Sequence, residues 1–83
     1  MKKMTTDEVF ELIKREREYQ NKKWGRDRTQ SIPGFIAVIE GELNEAKHGW
    51  LKNVPAKHSS LSEILQIAAV AVACIEEHGA EGN

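Results

Sequence analysis

Residues 61–75, Leu-Ser-Glu-Ile-Leu-Gln-Ile-Ala-Ala-Val-Ala-Val-Ala-Cys-Ile, form the densest apolar run of the chain, and a carboxylate (Glu63) and an amide (Gln66) stand at its entrance. Ser60 followed three residues later by Glu63 has the pattern of a capping box, which predicts that a helix begins here. At about 100° per residue, Ile64, Ile67, Val70, Ala71 and Cys74 fall on one side, with Glu63 on the side of Ile67 and Cys74. Leu65, Ala69, Val72 and Ala73 spread over the other side. A helix apolar all round is normally buried all round. The run is shorter than the roughly 20 apolar residues of a membrane span, so no membrane partner is expected and the segment reads as a core helix.

The rest of the composition narrows the class. At 83 residues the chain reads as a single all-α domain over 1–83, and almost nothing in it has the pattern of a strand. A chain of this size buries only about 60% of its extended surface. The net charge of −1, from 12 basic and 13 acidic residues, argues against a protein whose main partner is nucleic acid. Cys74 is the single cysteine, which excludes a disulfide framework and a cysteine-based zinc site within one chain. Two lysines follow Met1 with no apolar stretch after them, so no signal peptide is expected and the reading is cytoplasmic.

Two further helices are predicted ahead of the apolar one. Thr5-Thr-Asp-Glu8 is a capping signature that opens a helix over about 6–23, with Val9, Phe10 and Ile13 beginning its apolar face. Glu16, Arg17, Gln20 and Trp24 project within about 60° of Ile13, so the inward stripe turns polar halfway along. That is either a solvated helix end beyond the core or the wall of a polar cavity. After a charged loop over Gly25–Gln30, Ser31-Ile-Pro-Gly34 places a capping residue and a proline at the start of a helix over about 33–48. Its inward face carries Phe35, Val38, Ile39 and Ala46. Trp50–Lys57 reads as a connection broken by Pro55, the third helix spans about 60–78, Gly79 is its stop, and the last four residues are expected to fray. Two helices cover one side of the third and leave Leu65, Ala69, Val72 and Ala73 bare. The expectation is therefore a three-helix chain completed by copies of itself into a four-helix-bundle-type homo-oligomer, a dimer or a tetramer.

The acids on the inward faces carry the chemistry. Glu42 lies in the middle of the apolar stripe, about 20° from Phe35 and 40° from Ala46, with Glu45 one turn further on at its edge. Glu63 projects from the helix expected to pack against them. Carboxylates directed into an apolar interface cost several kcal/mol each, and three of them repel one another unless a cation is present. Mg2+ suits such a set, since it takes oxygen ligands, keeps several waters and bridges carboxylates to phosphates; Mn2+ is the alternative ion. Gln66, a turn after Glu63, offers a fourth, neutral oxygen. The competing reading has each acid reach water or pair with Arg17, Lys23 or Lys47.

The order Glu16-Arg-Glu-Tyr-Gln20, Lys23-Trp-Gly25, Glu42-Leu-Asn-Glu45 and Glu63-Ile-Leu-Gln66-Ile-Ala-Ala-Val-Ala resembles that of the MazG-like all-alpha nucleotide pyrophosphohydrolases, most closely the short forms of phage and mobile elements. The resemblance covers the chain from about Val9 to Glu77. It implies hydrolysis of a nucleoside triphosphate to the monophosphate and pyrophosphate, a house-cleaning activity on the nucleotide pool. It also implies that Glu42, Glu45 and Glu63 are the catalytic acids and hold one or two Mg2+ with Gln66. Arg17 and Lys23 would meet phosphate, Gln20 and Trp24 the base. Two positions depart from the family. Gln66 stands where it usually has aspartate and Gly41 where it commonly has a second glutamate, so weaker metal binding and reduced or lost activity are implied.

Other readings are open. A di-iron four-helix site uses Glu-x-x-His pairs, and Glu45-Ala-Lys-His48 is one, but the third helix offers Gln66 where a second histidine belongs. His48, His58 and His78 read as surface residues. A helical oligomer that binds nucleotide or protein without catalysis is the main alternative. The Lys22–Arg28 cluster is interrupted by Asp27 and fits the rim of a phosphate-binding cleft as well as it fits nucleic acid.

Overall fold

The computed structural model describes residues 3–25, 29–52 and 59–79. These residues are all-helical and include no strand: α1 spans Thr6–Trp24, α2 Ile32–Lys52 and α3 Ser60–His78. Among the described residues no helix is long and apolar enough to cross a membrane. The expected connection around Pro55, His58 and the chain end after Gly79 lie outside the described residues, as do Arg26–Arg28.

Each helix starts where a short side chain satisfies its first amides. Thr5 caps α1 through a complete capping box: its Oγ1 accepts from the Glu8 amide at 3.2 Å, and its own amide donates to Glu8 Oε1 at 2.8 Å. Gly25, at a φ of 89° that disfavours any other residue, ends that helix. Ser31 Oγ accepts from the Gly34 amide at 3.1 Å at the head of α2, where Pro33 has no amide to satisfy. The third start differs from the sequence expectation. Ser59 is the cap, its Oγ accepting from the Ser62 amide at 3.2 Å, while Ser60 Oγ donates to the Ala46 carbonyl of α2 at 2.9 Å. Glu63 is buried one position beyond Ser62, whose amide takes the capping bond.

α3 is the central element. α2 packs along it antiparallel, fixed by the Ser60–Ala46 hydrogen bond at one end and by an edge-on contact of Phe35 with His78, centroids 6.0 Å apart, at the other. α1 packs against α3 as well, but the backbones of α1 and α2 stay more than 8 Å apart along their whole described length. The core is correspondingly small: Phe35, Ala46, Ala69 and Val70 are its buried apolar residues among those described. Gly49 does not stop α2. It is buried, and the helix continues through Trp50 and Leu51 to Lys52.

Two expected faces are corrected. Val9 and Phe10 lie on the inward stripe of α1 but remain 38% and 62% exposed, because α1 has only α3 to pack on and its first turns lack cover. On α3 the flank expected to be bare is the covered one. Ala69 is fully buried and Leu65, Val72 and Ala73 are half-buried, whereas Leu61, Ile64 and Ile75 are more than half exposed. Seating α1 and α2 on two different sides of α3 rotates the uncovered face away from the position that a one-sided packing predicts.

Candidate functional site

The geometry that holds α1 and α2 apart creates a cleft of about 710 Å³ between them, floored by Val70 and Ala73 of α3. Phe35 and Val38 form the α2 wall, and Arg17, Gln20, Asn21 and Trp24 the α1 wall. The polar half of α1 thus lines a cavity, the sharper of the two sequence readings. Gln20 is 4% exposed there, and its Oε1 accepts from Arg17 NH1 at 3.2 Å. The Arg17 guanidinium is a junction: Nε and NH2 donate to Glu76 Oε1 of α3 at 3.2 and 2.9 Å, and NH2 also reaches Asn21 Oδ1 at 3.2 Å. A charged fork that is itself largely buried, with three partners, fixes the α1 wall against α3.

At the edge of this cleft the three acids converge. Glu42, Glu45 and Glu63 each offer a carboxylate oxygen, and these oxygens lie within 4.8 Å of one another. Their surroundings are graded: Glu63 is 1% exposed, Glu42 half-buried and Glu45 exposed. Glu42 also lines the cleft, so one side chain belongs to both the acid cluster and the cavity. Local sequence explains the convergence. Glu42 and Glu45 are neighbours on one helix surface by their i, i+3 spacing, and Glu63 emerges from the first turn of α3 beside the Ser60–Ala46 bond that sets its height along α2.

Two assigned residues, Lys23 and Gln66, are not part of the cleft lining. Lys23 points away, about 80° from Ile13 around α1, is exposed, and holds its Nζ 6.0 Å from the Tyr19 ring centroid and 5.2 Å from that of Trp24. Gln66 is half-buried a turn beyond Glu63 and does not line the cleft. Gly41 is exposed, and a Cβ there would meet nothing within 4 Å, so it serves no close helix packing among the described residues.

The structure adds residues that the sequence reading left out. Glu76, Glu77 and His78 close the far end of the cleft. Glu77 accepts from the Gln30 amide at 3.0 Å, and His78 Nε2 donates to the Gln30 carbonyl at 2.7 Å, so its proton sits on Nε2. Together they clip the segment between α1 and α2 to the end of α3. Gly34 makes room for this, since a Cβ there would come within 2.8 Å of Gln30 Cγ. The signal available in the sequence was two acids in the last turn of α3, where the helix dipole disfavours negative charge.

Comparison with known protein families, curated protein sequences and solved structures gives no match.

Proposed function

We propose that this chain is a divalent-metal-dependent nucleoside triphosphate pyrophosphohydrolase of the MazG-like type, active as a homo-oligomer and cleaving between the α and β phosphates. The observation that carries the reading is the position of Glu42. It links a cluster of three carboxylates to a cleft walled by Phe35, Val38 and Trp24, wide enough for a nucleoside.

The donor set fits Mg2+ or Mn2+. In a six-coordinate Mg2+ site, ligand oxygens lie about 3.0 Å apart when adjacent and about 4.2 Å apart when opposite, so three acids whose oxygens lie within 4.8 Å of one another would have to draw together by side-chain rotation, or bind partly through water. Glu42, Glu45 and Glu63 would hold the ion, which supplies charge neutralisation and a water of lowered pKa. The chain's own residues do the rest. Glu63, almost fully buried, fixes the depth of the cluster. Exposed Glu45 is the acid best placed to orient a water. Trp24 and Phe35 give the base an apolar slot, with the Gln20 amide at its edge.

The cleft lining carries Glu42, Glu76 and Glu77 against the one cation Arg17, among the described residues. A triphosphate entering such a site requires the counter-charge of metal ions. Arg17, now engaged by Glu76, is the group that turns to phosphate. With Lys23 outside the cleft, phosphate recognition rests on Arg17.

A panel of ribo- and deoxynucleoside triphosphates, incubated with and without Mg2+ or Mn2+ and scored for pyrophosphate, tests the proposal. Metal-dependent release that Glu42→Gln abolishes is the expected result. Equal traces from both proteins would refute catalysis at this site. Metal-dependent nucleotide binding without turnover would instead identify a nucleotide-binding oligomer, the outcome that Gln66 and Gly41 favour.

A further inference from the structure

Gln20 and Glu63 are the buried polar side chains among the described residues. Glu63 belongs to the acid cluster, whereas Gln20, 4% exposed, lines the cleft with only one half of its carboxamide engaged. Its Oε1 accepts from Arg17 NH1 at 3.2 Å. A guanidinium has donors and no acceptor, so the oxygen is the atom of the amide that must face it. The Nε2 amine is thereby turned the other way, and among the described residues it has no hydrogen-bond partner. Asn21 repeats the arrangement: its Oδ1 accepts from Arg17 NH2 at 3.2 Å, which leaves its Nδ2 amine as the group without a partner there.

The carboxylates of the same lining are committed. Glu76 takes the Nε and NH2 edge of Arg17, Glu77 takes the Gln30 amide, and Glu42 belongs to the acid cluster. A ligand edge seated against Gln20 therefore meets a free donor. Burial sharpens the preference, because a donor shielded from water and set against another donor loses its hydrogen bond with nothing in return. Phosphate binding leaves the arrangement intact. A phosphate can replace Glu76 on the Nε and NH2 edge of Arg17 while NH1 stays on Gln20.

We infer that Gln20, with Arg17 as its positioning residue, makes the cleft select nucleobases that carry a carbonyl at the edge remote from the sugar. Uracil, thymine, hypoxanthine and guanine present an oxygen there, whereas cytosine and adenine present an amino group. The inference rests on the nucleotide reading above and names the substrate class of that site. With the phosphates at the acid cluster and the base in the slot of Trp24 and Phe35, the remote edge of the base meets the Gln20 amide. Its O4 or O6 accepts from Nε2. A glutamine by itself offers a donor and an acceptor equally, and the Arg17 fork decides which of the two faces the ligand.

Calorimetry of the full chain with α,β-imido triphosphates in Mg2+ tests it, using two pairs that differ at that edge: uridine against cytidine and inosine against adenosine. The wild-type chain binds the carbonyl member of each pair at least about 10-fold more tightly, a ratio read without any variant. Gln20→Glu keeps an oxygen on Arg17 and replaces the amine with an acceptor. The ratio then falls below one in both pairs, whatever the added charge does to overall affinity. Arg17→Met frees the amide to turn over, and the ratio approaches one; a merely structural role for Arg17 would lower all four affinities together and leave the ratio as it was. A wild-type ratio near one, or a preference for cytidine and adenosine, overturns the inference and leaves the nucleotide reading standing. A ratio that Gln20→Glu does not change places the selection at another residue and overturns it too. No binding of any of the four overturns both.

Discussion

Glu63→Gln is the substitution whose effect on stability has opposite signs with and without metal. Two carboxylates within 4.8 Å of one another would, with both ionised, repel by roughly 3 kcal/mol at an effective dielectric of about 20. The exposure of Glu45 and the opening of the cleft beside Glu42 reduce this by screening. A glutamine at 63 keeps the shape, removes one charge from both pairs, and can donate its amide hydrogens to the acids that remain. The expected gain is about 1–2 kcal/mol, and at roughly 4–8 °C per kcal/mol for a domain of this size the midpoint rises visibly. With Mg2+ the order reverses. At 100 times its Kd a bound ion stabilises the native state by about 2.7 kcal/mol, and the variant, lacking the buried ligand, loses most of that. Thermal melts of both proteins in EDTA and across a Mg2+ series measure the two terms. If Mg2+ raises both midpoints equally, Glu63 holds no ion and the metal argument fails, whatever the melt in EDTA shows.

Phe35→Ala removes the largest buried apolar side chain and the edge contact with His78, and a loss of about 3–5 kcal/mol, read by urea unfolding, is enough to unfold a chain with so few buried apolar residues. Ser59→Ala removes the cap of α3 and costs about 1 kcal/mol; Ser60→Ala leaves that cap intact, and the same melts separate the two serines. Glu76→Gln takes one negative charge from the cleft and frees the Arg17 fork, so a non-hydrolysable triphosphate is expected to bind several-fold more tightly by calorimetry at low salt. Weaker binding would mean that Glu76 positions Arg17 for phosphate instead of competing with it.

The number and type of the helices were legible in the sequence because their signals are local: a serine or threonine at the head of each of the three, a proline in a first turn and a glycine after a last one. The convergence of Glu42, Glu63 and, at the stripe's edge, the exposed Glu45 was legible for the same reason, being a matter of helical period on two elements. What could not be read was how α1 and α2 divide the surface of α3. That depends on packing between elements, and an alanine-rich helix offers similar small side chains on several sides. The error on Ala69 and the omission of Ile64 and Ile75 from the bare face follow from it. Ser59 and Ser60 illustrate the same limit at smaller scale. Either can cap, and the choice is made by the carbonyl of Ala46, a residue distant in sequence. Lys23, assigned to phosphate by the resemblance and not by the polar stripe, lies outside the cleft lining.

The small core has a consequence for the site. Glu63 stays within reach of Glu42 and Glu45 only while α2 and α3 hold their register, and few buried side chains enforce it. Covering the exposed halves of six large apolar side chains on the outer face of the same two helices would contribute on the order of 5 kcal/mol, as much as the whole stability of many small domains. In a homo-oligomer joined through that face, the surface that joins the copies and the register that gathers the acids would be one mechanical unit, with Ile36, Leu43, Trp50, Leu61, Ile64 and Ile75 exposed on the α2–α3 pair and the acids gathered between the same two helices. Binding at either side must then be linked to the other by the same free energy. Mg2+ should tighten self-association, and dilution below the dimer constant should lower metal affinity. A metal affinity that stays constant from the dimeric to the monomeric range would show that the protomer holds its acids in place unaided.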